Sequence, residues 1–477
     1  MELNREALMN LDPKEAIALL LSVVETLTEE NAALKARLAQ NSRNSSLPPS
    51  SDRFIKAKPT RKPSGRNPGG QPGHAGSGLK PPTNPDFFVT HEPMQCENCP
   101  DRVVCKANRD AVTKTRYETD IEIRTVSTAH RQVAVVCPKS SEVMYGTFPH
   151  GITGFMQYGP NLKALAVSLN AVGMVGMART HEILKGVFGV TLSPGTVANM
   201  VESCAKAVSD TVSAIKEAVT EAPVVHFDET GTRVGKATEW VHVASTEQLT
   251  YMDVDAKRGA KGMNRTGILP EFTGTGVHDC YAAYFTYEWM KAHSLCNAHL
   301  LRELTAMHEN HGQSWAKDLT ELLLEMKCEK EKLMTIGERE APNVARKSFG
   351  VRYDRLMQTA LMANPVPKKK SGQKGRVSRG KVGALVDRLM QRKANFLLFF
   401  MDFSVPFDNN QAERDIRMMK VKQKVSGCFR SKKGARGFAA IMSFIGTARK
   451  RGLSAYVAIR DALMGKHMSP VLLLGTE

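Results

Sequence analysis

The chain has 477 residues, a formal charge of +18 and a pI near 9.5, so it is too long for a single core and is expected to hold about two to four domains. Basic residues spread over several regions point to a polyanion, and to nucleic acid rather than a membrane surface. No apolar run reaches the roughly 18–20 residues needed to cross a bilayer; no secretory h-region follows Met1, and nine mostly scattered cysteines do not make a secreted disulfide framework. A soluble intracellular protein is the expectation.

Residues 1–40 are read as a coiled-coil helix. From about 14 to 40, Ile17, Val24, Asn31 and Leu38 fall at a positions, and Leu20, Leu27 and Leu34 at d positions. β-Branched a residues with Leu at d favour two parallel strands, and one Asn at a fixes register. Residues 41–83 change to Ser, Pro, Gly, Asn and Lys, which reads as a flexible linker. Its Lys56, Lys58, Arg61, Lys62 and Arg66 suit a DNA backbone. Residues 84–148 carry Cys96-Glu97-Asn98-Cys99, then Cys105, then Cys137 after a strand-like stretch from Gln132 to Val136. That spacing suggests a small zinc module. A second CxxC is broken by Ser140, leaving Cys105, His91 or His130 for a fourth ligand.

Residues 149–215 read as helices: Asn161 to Ala171, Arg179 to Val187, and a third opening at Ser193-Pro194, an N-cap followed by Pro at N1. The short connection at 188–192 makes a helix-turn-helix, with Thr196 and Asn199 facing a groove. Residues 216–440 begin as strands: an apolar run into Asp228, hairpin-like alternation over 238–256, and a short strand closing on Asp279. From about 300 to 400 the period is helical, with a basic gap containing Lys368, Lys369 and Lys370. Residues 441–477 form a helical tail.

Three acids stand out in order: Asp228 and Asp279 at strand ends, and Glu413 on a short helix. Divalent metals held against a phosphodiester need about three carboxylates brought together from separate elements. A ribonuclease-H-like sheet does so with an Asp after its first strand, another after its fourth, and an acid on a later helix. Glu229 competes with Asp228, and Asp408 and Asp415 compete with Glu413, although Asp408 or Asn409 also suits a helix cap. Glu413, Arg417, Lys420 and Lys424 recur along one helical stripe, and these cations with Arg414 suit DNA phosphates.

The motifs NSRNSSLPPSSD, GGQPGHAG, YGPNLKALAV, LSPGTVANMV, FDET, HDCYAAY, CNAHLLREL, DNNQAERDIR and the tail GARGFAAIMSFIGTARKRGLSAYVAIRDAL resemble those of the insertion-sequence-66 family of transposases over essentially the whole length. The resemblance implies an α/β, ribonuclease-H-like mixed-sheet core with a helical insertion, in which Asp228, Asp279 and Glu413 are catalytic and bind a pair of Mg2+ (or Mn2+) ions. It implies a Zn2+-binding module at Cys96, Cys99 and Cys137, with Cys105 as the further candidate. His299 and Arg302 match family positions; positioning a phosphate or orienting Asp279 is one role open to them, and packing in the core is the other. Partners are then double-stranded DNA at element ends and target, a second copy or larger assembly, and accessory proteins of the same element, in a prokaryotic cytoplasm at the nucleoid. Two rivals share the motifs: a nuclease without strand transfer, and a catalytically silent DNA-binding remnant.

Overall fold

A computed structural model describes residues 12–45, 79–91, 93–101, 103–106, 112, 114–149, 151–367 and 377–466. The chain divides into two compact units, residues 60–128 and the remainder. In the smaller unit the described residues include one helical turn, α2 (Met94–Glu97). The larger unit starts with α1 (Pro13–Leu38), opened by Asp12, whose carboxylate accepts the Lys14 N–H at 2.9 Å. Ile17, Val24, Leu27 and Leu34 on it are each more than half exposed.

The expected linker does not begin at once after this helix. Asn41, Arg43, Asn44 and Ser45 fold into a turn, with Asn41 N–H on Asn44 Oδ1 and Arg43 N–H on Asn41 Oδ1. Arg43 pairs with Glu309, and Asn44 is buried. Short polar side chains that close on their own backbone give this turn without an apolar core. Residues 46–78 lie outside the described residues.

A hairpin, β1 (Ala134–Val136) with β2 (Val143–Tyr145), is followed by four helices: α3 (Pro160–Ala171), α4 (Met177–Phe188), α5 (Pro194–Ala207) and α6 (Ser209–Thr220). Gly189 ends α4 in the left-handed region at φ 66°, and the Ser193 hydroxyl caps α5 by accepting the Thr196 N–H.

The centre is a five-stranded mixed sheet in the order β5-β4-β3-β6-β7. Its strands are β3 (Val224–Val234), β4 (Ala237–Ser245), β5 (Thr250–Asp255), β6 (Thr275–His278) and β7 (Ala292–Leu295). β3, β4 and β5 form an antiparallel meander, whereas β6 and β7 run parallel to β3. The short helix α7 (Ala260–Thr266) bridges β5 and β6. Strand alternation sends Val225 and Phe227 to one face, against Ile215 and Val219 of α6 and Met263 of α7.

The other face carries Val241, Val243, Met252 and Val254, under α13 (Asn410–Ser426) and α14 (Lys432–Lys450). Edge strand β5 leaves two N–H groups without a strand partner. Thr447 and Ser443, one turn apart on α14, accept those of Thr250 and Met252 at 3.0 and 2.8 Å. A β-carbon on Gly446 would meet Thr250 at 2.9 Å, so Gly is what permits this approach. α14 and α15 (Ala455–Leu463) share the core of the sheet and of α3 rather than forming a separate tail.

Between β7 and α13 stand five helices: α8 (Asn297–His311), α9 (Ser314–Thr335), α10 (Asn343–Ala363), α11 (Gly380–Gln391) and α12 (Lys393–Met401). They have a core of their own around Trp315, Leu319, Leu323, Tyr353, Phe399 and Phe400. No helix among the described residues is long and apolar enough to cross a membrane.

Candidate functional site

The pairing of β3 with β6 brings the two aspartates together. His226 is opposite Val277, the last pair in register. Two residues further along each strand stand Asp228 and Asp279, so both leave the sheet on the same face at the same level. Asp228 does not end its strand, as the sequence predicts. β3 continues to Val234 because β4 goes on pairing with it, Asp228 facing Val243. What ends at this level is the parallel neighbour, and that opens the space beside Asp228.

α13 is pinned over that space by Asn409. The Asn409 side-chain amide donates to Phe227 O at 2.8 Å, and its Oδ1 lies 2.9 Å from His226 Nδ1. Its backbone N–H points to Cys296 Sγ at 3.1 Å. With Oδ1 as the acceptor, His226 carries its proton on Nδ1, and burial holds this imidazole below its ordinary pKa, hence neutral. Asn409 therefore starts the helix by backbone alone; its side chain holds a strand, and the Asp408 carboxylate accepts the Asn410 N–H. One turn on, Glu413 is brought close to the aspartates. Burial pushes the Asp228 carboxyl well up, and the negative charges of Glu229, Asp279 and Glu413 add to the effect.

The competing acids are engaged elsewhere. Glu229 points to the opposite face, where Arg258 Nε reaches Oε1 at 3.0 Å and the Tyr284 hydroxyl donates to Oε2 at 2.5 Å. Asp415 accepts from Thr250 Oγ1 at 2.8 Å and pairs with Lys450 at 2.7 Å, tying α13 to β5 and α14. His299 and Arg302, one turn apart on α8, reach Glu413 rather than Asp279: His299 Nδ1 is 3.5 Å from Oε1, and an Arg302 guanidinium nitrogen is 3.8 Å from Oε2. Beside them a cavity of about 240 Å3 is lined by Arg258, Asp279, Tyr281, Cys296, His299 and Arg388.

Asp228, Asp279 and Glu413 are near enough for their charges to be felt at Asp228, but among the described residues their oxygens do not gather within 4.8 Å of one another. Glu413 Oε1 is buried without a hydrogen-bond partner, and so is His299 Nδ1. The two face each other at 3.5 Å, and a buried carboxylate oxygen without a hydrogen bond is costly unless a cation satisfies it.

Among the cationic candidates, Arg414 and Arg417 are exposed on α13, and Lys424 is exposed in its last turn. Lys420 departs from the expected stripe: it is partly buried and donates to Gly231 O of β3, because the helix packs its flank on the sheet there. Lys368, Lys369 and Lys370 lie outside the described residues. Cys96, Cys99, Cys105 and Cys137 are free thiols. The Ser140 hydroxyl, at the position where a second CxxC would have its Cys, hydrogen-bonds Cys137 and lowers its thiol pKa.

Sequence reasoning missed Asn409 as an anchor, and it missed Cys296. The second had a signal, since Cys296, His299 and Arg302 recur every three residues at a helix start.

Among family models, one described as the transposase IS66 family matches residues 156–437, more than half of the chain. A second, described as a family of unknown function (DUF6444), matches residues 3–80. No curated protein matches the chain.

Proposed function

Because the chain belongs to the IS66 family of transposases, we propose that it acts on the ends of a mobile DNA element by metal-dependent phosphodiester hydrolysis, followed by transfer of the freed 3′-hydroxyl into target DNA. The observation that supports this reading is that Asp279 and Glu413, from a strand end and a helix, are near enough for their charges to raise the pKa of buried Asp228. The strand order, with its antiparallel meander and two parallel strands, supports a ribonuclease-H-like core interrupted by the five-helix insertion. In this core Asp228, Asp279 and Glu413 would hold Mg2+ or Mn2+. Bound metal would acidify the attacking hydroxyl and stabilise the leaving oxygen.

The protein's own groups prepare the site. Asn409 fixes Glu413 over β3, and Glu229 orients Arg258 at the cavity wall. Arg302 and His299 rest on Glu413; a DNA phosphate would compete for the same guanidinium and imidazole, freeing the carboxylate for metal. Arg414, Arg417 and Lys424 extend a cationic surface for the backbone beyond the site. Further modules complete the reading: α1 as a dimerising coiled coil, the cysteine segment as a zinc module, and α4–α5 as a helix-turn-helix.

A joining assay tests the proposal. Protein, Mg2+ and labelled end DNA should first give a nick exposing a 3′-hydroxyl, then covalent branched products with target DNA. Nicks without branched products would leave a nuclease, and binding without nicks a silent remnant.

A further inference from the structure

A second donor set of different chemistry shares Glu413. Cys296 Sγ, a His299 ring nitrogen and a Glu413 carboxylate oxygen all lie within 4.8 Å of one another, with His299 Nδ1 3.5 Å from Glu413 Oε1. Cys296 is the N-cap of α8 and His299 lies in its first turn, so the local fold sets two of the three donors. Burial pushes the Cys296 thiol up to about 12, and the Asn409 and His299 backbone N–H groups, both pointing at the sulfur, offset only part of that, so an entering cation has to displace the proton. Neither His299 Nδ1 nor Glu413 Oε1 has a hydrogen-bond partner, and both are buried. Cys296 and His299 also line the cavity, which gives an ion a way in.

We propose that Cys296, His299 and Glu413 form a site for a zinc-type ion that competes with Mg2+ for Glu413. Thiolate and imidazole select zinc, cobalt and their neighbours, whereas Mg2+ requires oxygen ligands in octahedral array. Zn–S of about 2.3 Å and Zn–N of about 2.0 Å place tetrahedral donors roughly 3.5 Å apart, so side-chain movements of about 1 Å suffice. On entry the Cys296 thiol gives its proton to solvent and the sulfur–metal bond takes its place. Glu413 is then drawn to His299 and away from Asp228, and zinc acts as an inhibitor of whatever Glu413 does with Asp228 and Asp279. That consequence rests on the function proposed above; the site itself does not.

The test uses the full chain with Cys96, Cys99, Cys105 and Cys137 changed to Ser, titrated with Co2+ as a spectroscopic probe. One equivalent should bind with thiolate-to-cobalt charge-transfer absorption. Cys296→Ser should remove that band, and His299→Ala, which removes a direct ligand at a more exposed position, should weaken Co2+ binding by more than the roughly 10–100-fold that loss of an outer-shell partner costs. In the natural protein, Zn2+ should suppress Mg2+-dependent nicking, and His299→Ala should need more than about 10-fold more Zn2+ for the same fractional suppression of its own activity. Absence of the band in the four-serine protein, or a band untouched by Cys296→Ser, overturns the proposal. A cobalt site without any nicking would sink the transposase mechanism and leave the metal site standing.

Discussion

Asp228 is an acid whose charge the fold disfavours. Its pKa is raised above the ordinary 3.8, first by burial and then by Glu229. A carboxyl whose folded pKa is raised adds stability below its unfolded value, and that stability is lost as pH rises through the folded value. Glu229 shifts the same way through burial. The metal-free protein should therefore lose stability as pH climbs out of the ordinary carboxylate range, and Mg2+ should restore it. Asp228→Asn should raise the metal-free Tm at neutral pH by about 2–4 °C and abolish the Mg2+-induced rise. A lower Tm, with the Mg2+ effect retained, would falsify this account of Asp228. The pair Asp228-Glu229 also marks a limit of sequence reading. Alternation says that the two face opposite ways, but only Arg258, Tyr284 and Asn409, all distant in sequence, decide which faces the site.

At the scale of elements, the site depends on how α13 is held. Asn409→Ala would leave Phe227 O and His226 Nδ1 unsatisfied, at a cost of about 1–3 kcal/mol. By moving Glu413 it should lower the nicking rate more than DNA affinity, as single-turnover kinetics and a binding isotherm would show. Asp415 and Lys450 form the second clamp. Lys450→Met leaves half-buried Asp415 with hydroxyl donors but no cation, at a cost of up to about 3 kcal/mol in denaturant unfolding, and adding Asp415→Leu should recover most of that loss. Recovery failing entirely would mean that the pair is needed for more than neutralisation. The helices and the hairpin of β4 with β5 were legible because period and caps agree there, Ser193-Pro194 above all. β7 was not: Ala292-His293-Ser294-Leu295 is four residues without alternation, and only its pairing with β6 makes it a strand. Asp228 was expected to end a strand, and β4 overruled that.

For the whole molecule, the charge of +18 predicts DNA affinity that falls steeply with salt, with a log–log slope near −0.9 per phosphate neutralised. Arg417→Ala should reduce that slope by about one unit, because Arg417 is exposed on α13 beyond Glu413. The apolar seam of α1 predicts self-association through Leu27 and its neighbours. Sedimentation should find the natural chain larger than Leu27→Glu, and equal masses would remove the coiled coil from the account. At this scale composition gave the partner class and order gave the three acids, but the five-helix insertion hides the closeness of α8 to α13, which no local pattern carries. The central claim is that Asp228, Asp279 and Glu413 grip metal against a phosphodiester, and Asp279→Cys tests it most directly. A thiolate holds Mg2+ poorly and Mn2+ better, so nicking of element-end DNA should vanish in Mg2+ and return in part in Mn2+, with DNA affinity unchanged. Nicking at the natural rate in Mg2+ would contradict the claim.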